Sequence, residues 1–193
     1  MSQDDISVLI TTYNQEEFVG EAIQSVLEQT RQPKEIIIVD DNSTDETPAI
    51  IEQFANQYPE LIEAHLLEKE RGIPQTRNFA LEQATGELVT YLDGDDVFRP
   101  AKLAKEYETF VDNPDVGVVF SNFEYIDVDG NTIETWDVDK DVAVGNVFKE
   151  CLTRDFPDGN LFRDELVPVE VLRKIGGYDE KLSILEDWDL RIR

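Results

Sequence analysis

Cysteine and histidine are almost absent from this chain of 193 residues, which has one of each. The single cysteine, Cys151, excludes an internal disulfide framework and fits a reducing compartment. The single histidine, His65, excludes a metal site built from several histidines. No apolar run approaches the ~18 residues of a membrane span, and the N-terminus lacks the basic and apolar regions of a signal peptide. We therefore expect a cytoplasmic protein, held at the inner face of the membrane only through partners or a missing C-terminal part.

Basic residues are also scarce: 17 lysines and arginines stand against 43 aspartates and glutamates, a formal net charge of −26. This balance excludes non-specific binding to nucleic acid or anionic lipid, because both are negatively charged. A phosphorylated ligand would be repelled too, unless a cation or a well-placed arginine lay between its phosphates and the protein. Hydrophobic residues make up 40% of the sequence, which is enough for the core of one α/β domain.

Two nucleotide-binding motifs are missing. The first predicted strand is not followed by G-x-G-x-x-G, which disfavours dinucleotide binding. The sequence also contains no G-x-x-x-x-G-K-[ST], so the protein is not a P-loop NTPase. A nucleotide, if one binds, must be held by other groups.

The most distinctive stretch that is present runs from Val89 to Asp96. An apolar run predicts a buried strand over 87–92, and three carboxylates follow it, Asp93, Asp95 and Asp96. Gly94 lies among them and lets a ligand approach the backbone. Like charges this close repel one another unless a cation lies between them, and Mg²⁺ or Mn²⁺ prefers such oxygen ligands. A solvated acidic turn is the alternative interpretation.

Apolar runs and helical periodicities alternate over the first 126 residues. They predict five strands separated by helices, at 6–10, 35–39, 62–67, 87–92 and 116–126. Capping boxes predict two of the helix starts, at Asn14 with Glu17 and at Ser43 with Glu46. The order β-α-β-α-β-α-β-α-β indicates a doubly wound, mainly parallel sheet with helices on both faces.

The pattern changes after residue 126. The segment 127–131 has the composition of a hairpin turn and returns into a strand over 132–136. A mixed segment over 160–167 can pair with the sheet, and helices are predicted over 142–152, 169–175 and 186–193. No linker or repeat divides the sequence, so we expect one domain over 1–193.

Polar clusters follow three of the predicted parallel strands, where each strand stops. They are Thr11-Thr12-Tyr13, Asp40-Asp41 and Asp93-Gly94-Asp95-Asp96. Ligands of open α/β sheets bind at this carboxyl edge. The three clusters together predict a binding site there more strongly than any one motif does.

A nucleoside diphosphate held through a metal fits these clusters. Asp40 can accept a hydrogen bond from a base N–H, and Tyr13 can pack near the base. Arg77, at the start of a predicted helix, can approach the diphosphate. Asp95 and Asp96 can hold a cation against the phosphate oxygens and so neutralise charge that an acidic cleft would otherwise repel.

Six motifs occur in an order typical of one enzyme family. They are ISVLITTYN at 6–14, IIIVDDNSTD at 36–45, TRN at 76–78, YLDGDD at 91–96, IGGYDE at 175–180 and LEDWDL at 185–190. In this order the chain resembles the family 2 glycosyltransferases of the GT-A fold. The resemblance covers nearly the whole sequence and implies an inverting, metal-dependent hexosyltransferase.

The resemblance also implies site residues. The nucleoside would be bound by Thr11, Tyr13 and Asp40, and Arg77 would lie near the base or the diphosphate. The 93–96 turn looks like the family's D-x-D motif, in which Asp93 and Asp95 approach ribose and phosphate. Mn²⁺ or Mg²⁺ would be ligated by Asp95 or Asp96.

The residue that matches the family's general base is Asp187, which would deprotonate the acceptor hydroxyl. The implied donor is a nucleoside diphosphate sugar, with a UDP-sugar as the first expectation. The acceptor would be a hydroxyl of a saccharide, a lipid-linked molecule or a protein. Residues 1–126 would form the nucleotide-sugar half, and 127–193 an acceptor-side half that we expect to be incomplete.

Two other protein classes share parts of these motifs, and one segment differs from the family pattern. Asp93-Gly94-Asp95-Asp96-Val97 also fits the pattern of haloacid-dehalogenase-type phosphatases, in which Asp93 would be the nucleophile. Asp40 and Asp41 resemble the acidic pocket of a non-catalytic receiver domain. Both patterns normally follow the first strand, which is not their place here. At 166–170 the sequence departs from the family, where basic residues more often follow the strand end.

Overall fold

The computed structural model of the chain describes residues 5–138, 145–157 and 160–193. A five-stranded sheet with the order β3-β2-β1-β4-β7 forms its centre. These strands are β1 (Ile6–Thr12), β2 (Glu35–Asp40), β3 (Ile62–Leu66), β4 (Leu88–Asp93) and β7 (Val167–Pro168). The first four are parallel, and β7 pairs antiparallel with β4. The predicted mainly parallel α/β architecture is confirmed.

Helices lie on both faces of this sheet and against the C-terminal hairpin. They are α1 (Val19–Leu27), α2 (Thr47–Gln57), α3 (Ile73–Gln83), α4 (Lys102–Asp112), α5 (Phe148–Thr153), α6 (Val169–Ile175) and α7 (Glu186–Ile192). Because strand side chains alternate, Val8 and Ile10 pack towards α1, α2 and α4, whereas Leu9 packs towards α3 and α6. None of the helices described is long and apolar enough to cross a membrane.

The predicted fifth parallel strand over 116–126 is wrong. Only Phe123–Ile126 forms a strand, β5, and it pairs with β6 (Thr132–Trp136) in a separate two-stranded sheet. β7 occupies the edge of β4 instead, and Val119 makes a single bridge to Leu166 just before it. β5 alternates half-buried and exposed residues, as a strand of a one-sided hairpin does.

The two predicted capping boxes are also wrong. α1 begins at Val19 and α2 at Thr47, several residues beyond Asn14 and Ser43. Asn14 has a left-handed φ of 52° and joins the two loops. Its backbone N–H donates to Ser43 Oγ at 2.8 Å, and its Oδ1 accepts from the Thr44 backbone N–H at 2.8 Å. These polar residues therefore fasten the ends of β1 and β2 to each other.

The C-terminal part packs through aromatic residues around the hairpin. Trp136, Phe156 and Phe162 form a third buried cluster, to which Trp188 of α7 adds. α6 and α7 agree with the predicted helices, and Gly176 ends α6 at φ 87° as expected. The helix predicted over 142–152 begins at Phe148, and its first three residues, 142–144, lie outside the described residues.

Candidate functional site

The strand register brings the three polar clusters to one edge of the sheet. Thr12 lies opposite Asp40 on β2, and Thr11 lies opposite Asp93 on β4. The Thr11 hydroxyl is 3.4 Å from Asp93 Oδ1. Tyr13 follows directly and is 44% exposed, so its ring is open to a ligand.

Two buried carboxylates shape the loops beside Tyr13. Asp40 is 1% exposed and accepts hydrogen bonds from the Ser43 backbone N–H at 2.9 Å and the Ser43 hydroxyl at 2.5 Å. Asp41 accepts from the backbone N–H groups of Arg71 and Gly72, both at 2.8 Å. A carboxylate has about four acceptor positions. Asp40 therefore retains the capacity to accept a hydrogen bond from a ligand.

Arg77 contacts carboxylates from two distant parts of the chain. Its Nη2 donates to Asp93 Oδ1 at 2.8 Å and to Oδ2 at 3.0 Å, and its Nη1 donates to Glu186 Oε1 at 3.3 Å. Burial acts against its charged form, but the charges and hydrogen bonds of its neighbours, Asp93 first among them, together raise the pKa of Arg77 above its ordinary value. Arg77 thus joins the end of β4 to the start of α7.

The other two carboxylates of the acidic turn are not paired in this way. Asp95 is exposed and Asp96 is half-buried, and no hydrogen bond or ion pair is found for either side chain among the described residues. Burial, followed by the charges of Asp93 and Asp95, raises the pKa of Asp96. The turn therefore carries the like-charge repulsion that its sequence predicted.

Gly94 is required by the packing of the turn, a role that the sequence did not indicate. A Cβ at this position would lie 2.5 Å from Gln15 Oε1 and 2.8 Å from Thr12 Cβ. Those atoms belong to β1 and to the loop that follows it. The absence of a side chain lets the acidic turn close against the end of β1.

The residues of the turn could supply part of the ligands of a divalent cation. No group of three or more His, Cys, Asp or Glu residues suited to a metal occurs in the described parts of the chain. Mg²⁺ bound with a nucleotide, however, commonly takes only one or two carboxylates and completes its coordination with substrate phosphates and water. Asp95 and Asp96 provide two such carboxylates, and a cation would relieve the repulsion that raises the Asp96 pKa.

Asp187 lies in the first turn of α7, held by an arginine one turn later. Arg191 Nη1 donates to Asp187 Oδ2 at 2.8 Å. Arg191 also binds Glu165 through Nε at 3.1 Å and Nη2 at 2.9 Å. Burial opposes the charge of Arg191, but the charge and hydrogen bond of Glu165, together with the charges of Tyr178 and Asp187, raise the arginine pKa. The residue before Asp187, Glu186, accepts a hydrogen bond from Arg77, which also binds Asp93. Asp187 is therefore connected to the acidic turn through these contacts.

Sequence reasoning missed Glu165, Glu186, Arg191 and Asp164. The four-residue spacing of Asp187 and Arg191 was a readable signal, since such pairs face each other on a helix. Nothing local indicated Asp164. Burial raises its pKa to about 7, and the charges of Asp93 and Asp96 add to the effect while Lys102 opposes it.

Comparisons with known proteins identify the family of the chain. The family model "Glycosyl transferase family 2" matches residues 7–167. An uncharacterized glycosyltransferase of Nostoc sp. is 40% identical over 129 residues, which are 67% of this chain and 39% of that protein. The putative teichuronic acid biosynthesis glycosyltransferase TuaG of Bacillus subtilis is 33% identical over 77% of this chain and 60% of its own length.

Solved structures show the same fold. Staphylococcus aureus TarS 1–349 in complex with UDP-GlcNAc has a TM-score of 0.74 and 26% identity, over 97% of this chain and 52% of its own. A Pyrobaculum calidifontis mannosyltransferase in complex with GDP-Man and Mn²⁺ has a TM-score of 0.71 and 22% identity, over 98% and 51%. The chain spans 39% and 60% of the two curated relatives. It belongs to glycosyl transferase family 2 and has the GT-A fold.

Proposed function

We propose that this chain transfers a sugar from a nucleoside diphosphate sugar to a hydroxyl group of an acceptor. The observation that carries the proposal is the convergence of Asp40, the acidic turn and Asp187 at one edge of the sheet. Strand register joins the first two, and the chain of contacts through Arg77 and Glu186 joins the third. Family membership supports the same reaction class.

The nucleoside half of the donor would lie beside Tyr13. The exposed Tyr13 ring offers a face to the base, and Asp40 offers a hydrogen-bond acceptor to a base N–H. Thr11 holds its hydroxyl near Asp93, where a ribose would lie. We propose a UDP-sugar as the donor, because a related structure contains UDP-GlcNAc. A GDP-sugar is the competing donor, since another contains GDP-Man.

The diphosphate would be held at the acidic turn by Asp95 and Asp96, through Mn²⁺ or Mg²⁺. When bound, the cation would stabilise the negative charge of the departing nucleoside diphosphate. Asp93 would keep its bidentate contact with Arg77 and face the ribose. Arg77 would then act mainly on Asp93, and its distance from the phosphates would be larger than the sequence suggested.

We propose Asp187 as the general base. A sugar hydroxyl is a weak nucleophile until a carboxylate accepts its proton, and one displacement at the anomeric carbon inverts the configuration. Asp187 is 43% exposed, so an acceptor can reach it, while Arg191 fixes its Oδ2. Its Oδ1 has no hydrogen bond to the described residues and can take the proton.

The phosphatase and receiver alternatives lack comparable support. A phosphatase nucleophile needs a free carboxylate oxygen, whereas both oxygens of Asp93 are held by Arg77. A receiver pocket needs Asp40 and Asp41 to face one cation, whereas Asp41 binds two backbone N–H groups of the 71–72 loop.

Thermal unfolding with added ligands tests the donor site. UDP with Mn²⁺ should raise the melting temperature. At a ligand concentration of 100 Kd, the free energy of unfolding should increase by about 2.7 kcal/mol. The double variant Asp95→Ala with Asp96→Ala should lose the increase. Asp112→Ala with Asp115→Ala, which removes the same charge from two exposed positions away from the site, should keep it. An unchanged melting temperature with UDP, GDP and Mn²⁺ would overturn the proposal.

A further inference from the structure

A second concave surface lies next to the acidic turn. This cleft, of about 470 Å³, runs between the start of α4 and the β5–β6 hairpin. Asp96, Arg163 and Asp164 are among the residues that line it. Its volume lies within the range of about 300–1,000 Å³ that is typical of small-molecule sites. The nucleotide contacts proposed above do not use it, except through Asp96.

Both aromatic rings and cationic side chains line the cleft. Phe123 and Tyr125 of β5 are half-buried, and their rings meet edge to face with centroids 5.5 Å apart. Phe123 is stacked on the buried Trp136 at 4.8 Å, which fixes its position. The Arg163 guanidinium lies 5.3 Å from the Phe123 ring centroid. Rigid aromatic faces beside hydrogen-bond donors suit a ligand with apolar C–H faces and a rim of hydroxyl groups.

The charge of this cleft differs from that of the whole chain. Its lining has four basic residues, Arg99, Lys102, Lys105 and Arg163, and four acidic ones, Glu21, Asp96, Glu124 and Asp164. The chain has 17 basic residues against 43 acidic ones. Arg99 also pairs directly with Glu124. The surface therefore neither repels an acidic ligand strongly nor requires a cationic one.

The cleft shares Asp96 with the proposed donor site. Glu165 follows directly after the two lining residues Arg163 and Asp164, and it holds Arg191, which in turn binds Asp187. The lining residue Asp96 belongs to the turn that would hold the diphosphate. A ligand in the cleft would thus lie against the donor site, next to the segment that holds Arg191 and, through it, Asp187.

We propose that this cleft binds the acceptor and that the acceptor is a saccharide, with the Tyr125 ring as its stacking platform. The proposal rests on the proposed glycosyltransferase function. In the reaction, the acceptor oxygen would form a bond to the anomeric carbon as the bond from that carbon to the diphosphate breaks. The hydroxyl proton would go to Asp187, and the nucleoside diphosphate would leave.

Saturation-transfer NMR with a defined panel tests this assignment. The probes are p-nitrophenyl glycosides of glucose, galactose, mannose, N-acetylglucosamine and glucuronic acid, each at millimolar concentration with UDP and Mn²⁺ present. At least one glycoside should bind. Tyr125→Ala should lower the affinity for that glycoside roughly three- to tenfold, the usual range for a lost aromatic contact. Lys105 lines the cleft and is exposed, so Lys105→Gln should not disturb folding. This variant should also lower the affinity for the preferred glycoside.

The controls separate this inference from the proposed function. Ile133→Ala removes an exposed side chain of the same hairpin outside the cleft, and should bind the glycosides normally. Both cleft variants should keep the UDP–Mn²⁺ stabilisation. If UDP binds but no glycoside does, or if both cleft variants bind glycosides like the unchanged protein, the cleft is not the acceptor site. If UDP does not bind, the proposed function itself fails.

Discussion

The buried contact between Glu165 and Arg191 should be essential for holding α7 in place. Their side chains are 11% and 10% exposed, and two hydrogen bonds of 2.9 and 3.1 Å join them. Removing one partner of a buried pair leaves the other charge uncompensated, which costs about 3–5 kcal/mol. In Glu165→Ala, Arg191 keeps Asp187 as a partially exposed partner. We therefore expect the lower end of that range, about 3 kcal/mol.

The assay is urea and thermal unfolding of Glu165→Ala. For a chain of this size, about 3 kcal/mol corresponds to a melting temperature lower by about 6–12 °C. The matched control is Asp189→Ala on the same helix, which breaks an ion pair of 2.8 Å whose side chains are 32% and 28% exposed. That pair should contribute about 1 kcal/mol or less. If Glu165→Ala costs no more than Asp189→Ala, the reasoning about burial is refuted.

Three other predictions concern the site. Gly94→Ala should cost about 1–3 kcal/mol in urea unfolding, because its Cβ would overlap Thr12, whereas Gly117→Ala, with open space around it, should cost little. The free energy of unfolding should fall as pH rises from about 4 to about 7. The reason is the raised pKa of Asp164, because the folded state binds the proton of this carboxyl group more tightly than the unfolded state does, and Asp164→Asn should flatten the decline. Asp187→Asn should keep the UDP–Mn²⁺ stabilisation and lose about 10²–10⁴-fold in sugar transfer; normal transfer would assign the base elsewhere.

The central sheet was predictable because its signals are local. β1, β2 and β4 are continuous apolar runs, and each ends in polar residues at the carboxyl edge. The polar clusters could therefore be placed together before their geometry was known. The strand predicted over 116–126 failed because apolar content does not reveal which strand occupies an edge, and two residues of the distant β7 took that position.

The contacts within the site were less predictable, since they join residues far apart in sequence. Arg77 lies 16 residues from Asp93 and 109 from Glu186, so no local pattern shows that it pairs with both. The same holds for Glu165 and Arg191, 26 residues apart. Sequence motifs suggested carboxylates for the site, whereas only the packed structure shows which of them bind an arginine. No hydrogen bond or ion pair from an arginine reaches the Asp95 or Asp96 side chain among the described residues, and these are the two that we propose for a cation.

The most direct test of the donor site is a crystal structure with UDP and Mn²⁺ soaked in. We expect the uracil to lie beside Tyr13, within hydrogen-bonding reach of Asp40. We also expect an anomalous peak that places a manganese ion at Asp95 or Asp96, in contact with the diphosphate. Asp93 should still be paired with Arg77. UDP bound away from this edge of the sheet, or manganese bound without contact to Asp95 or Asp96, would contradict the account.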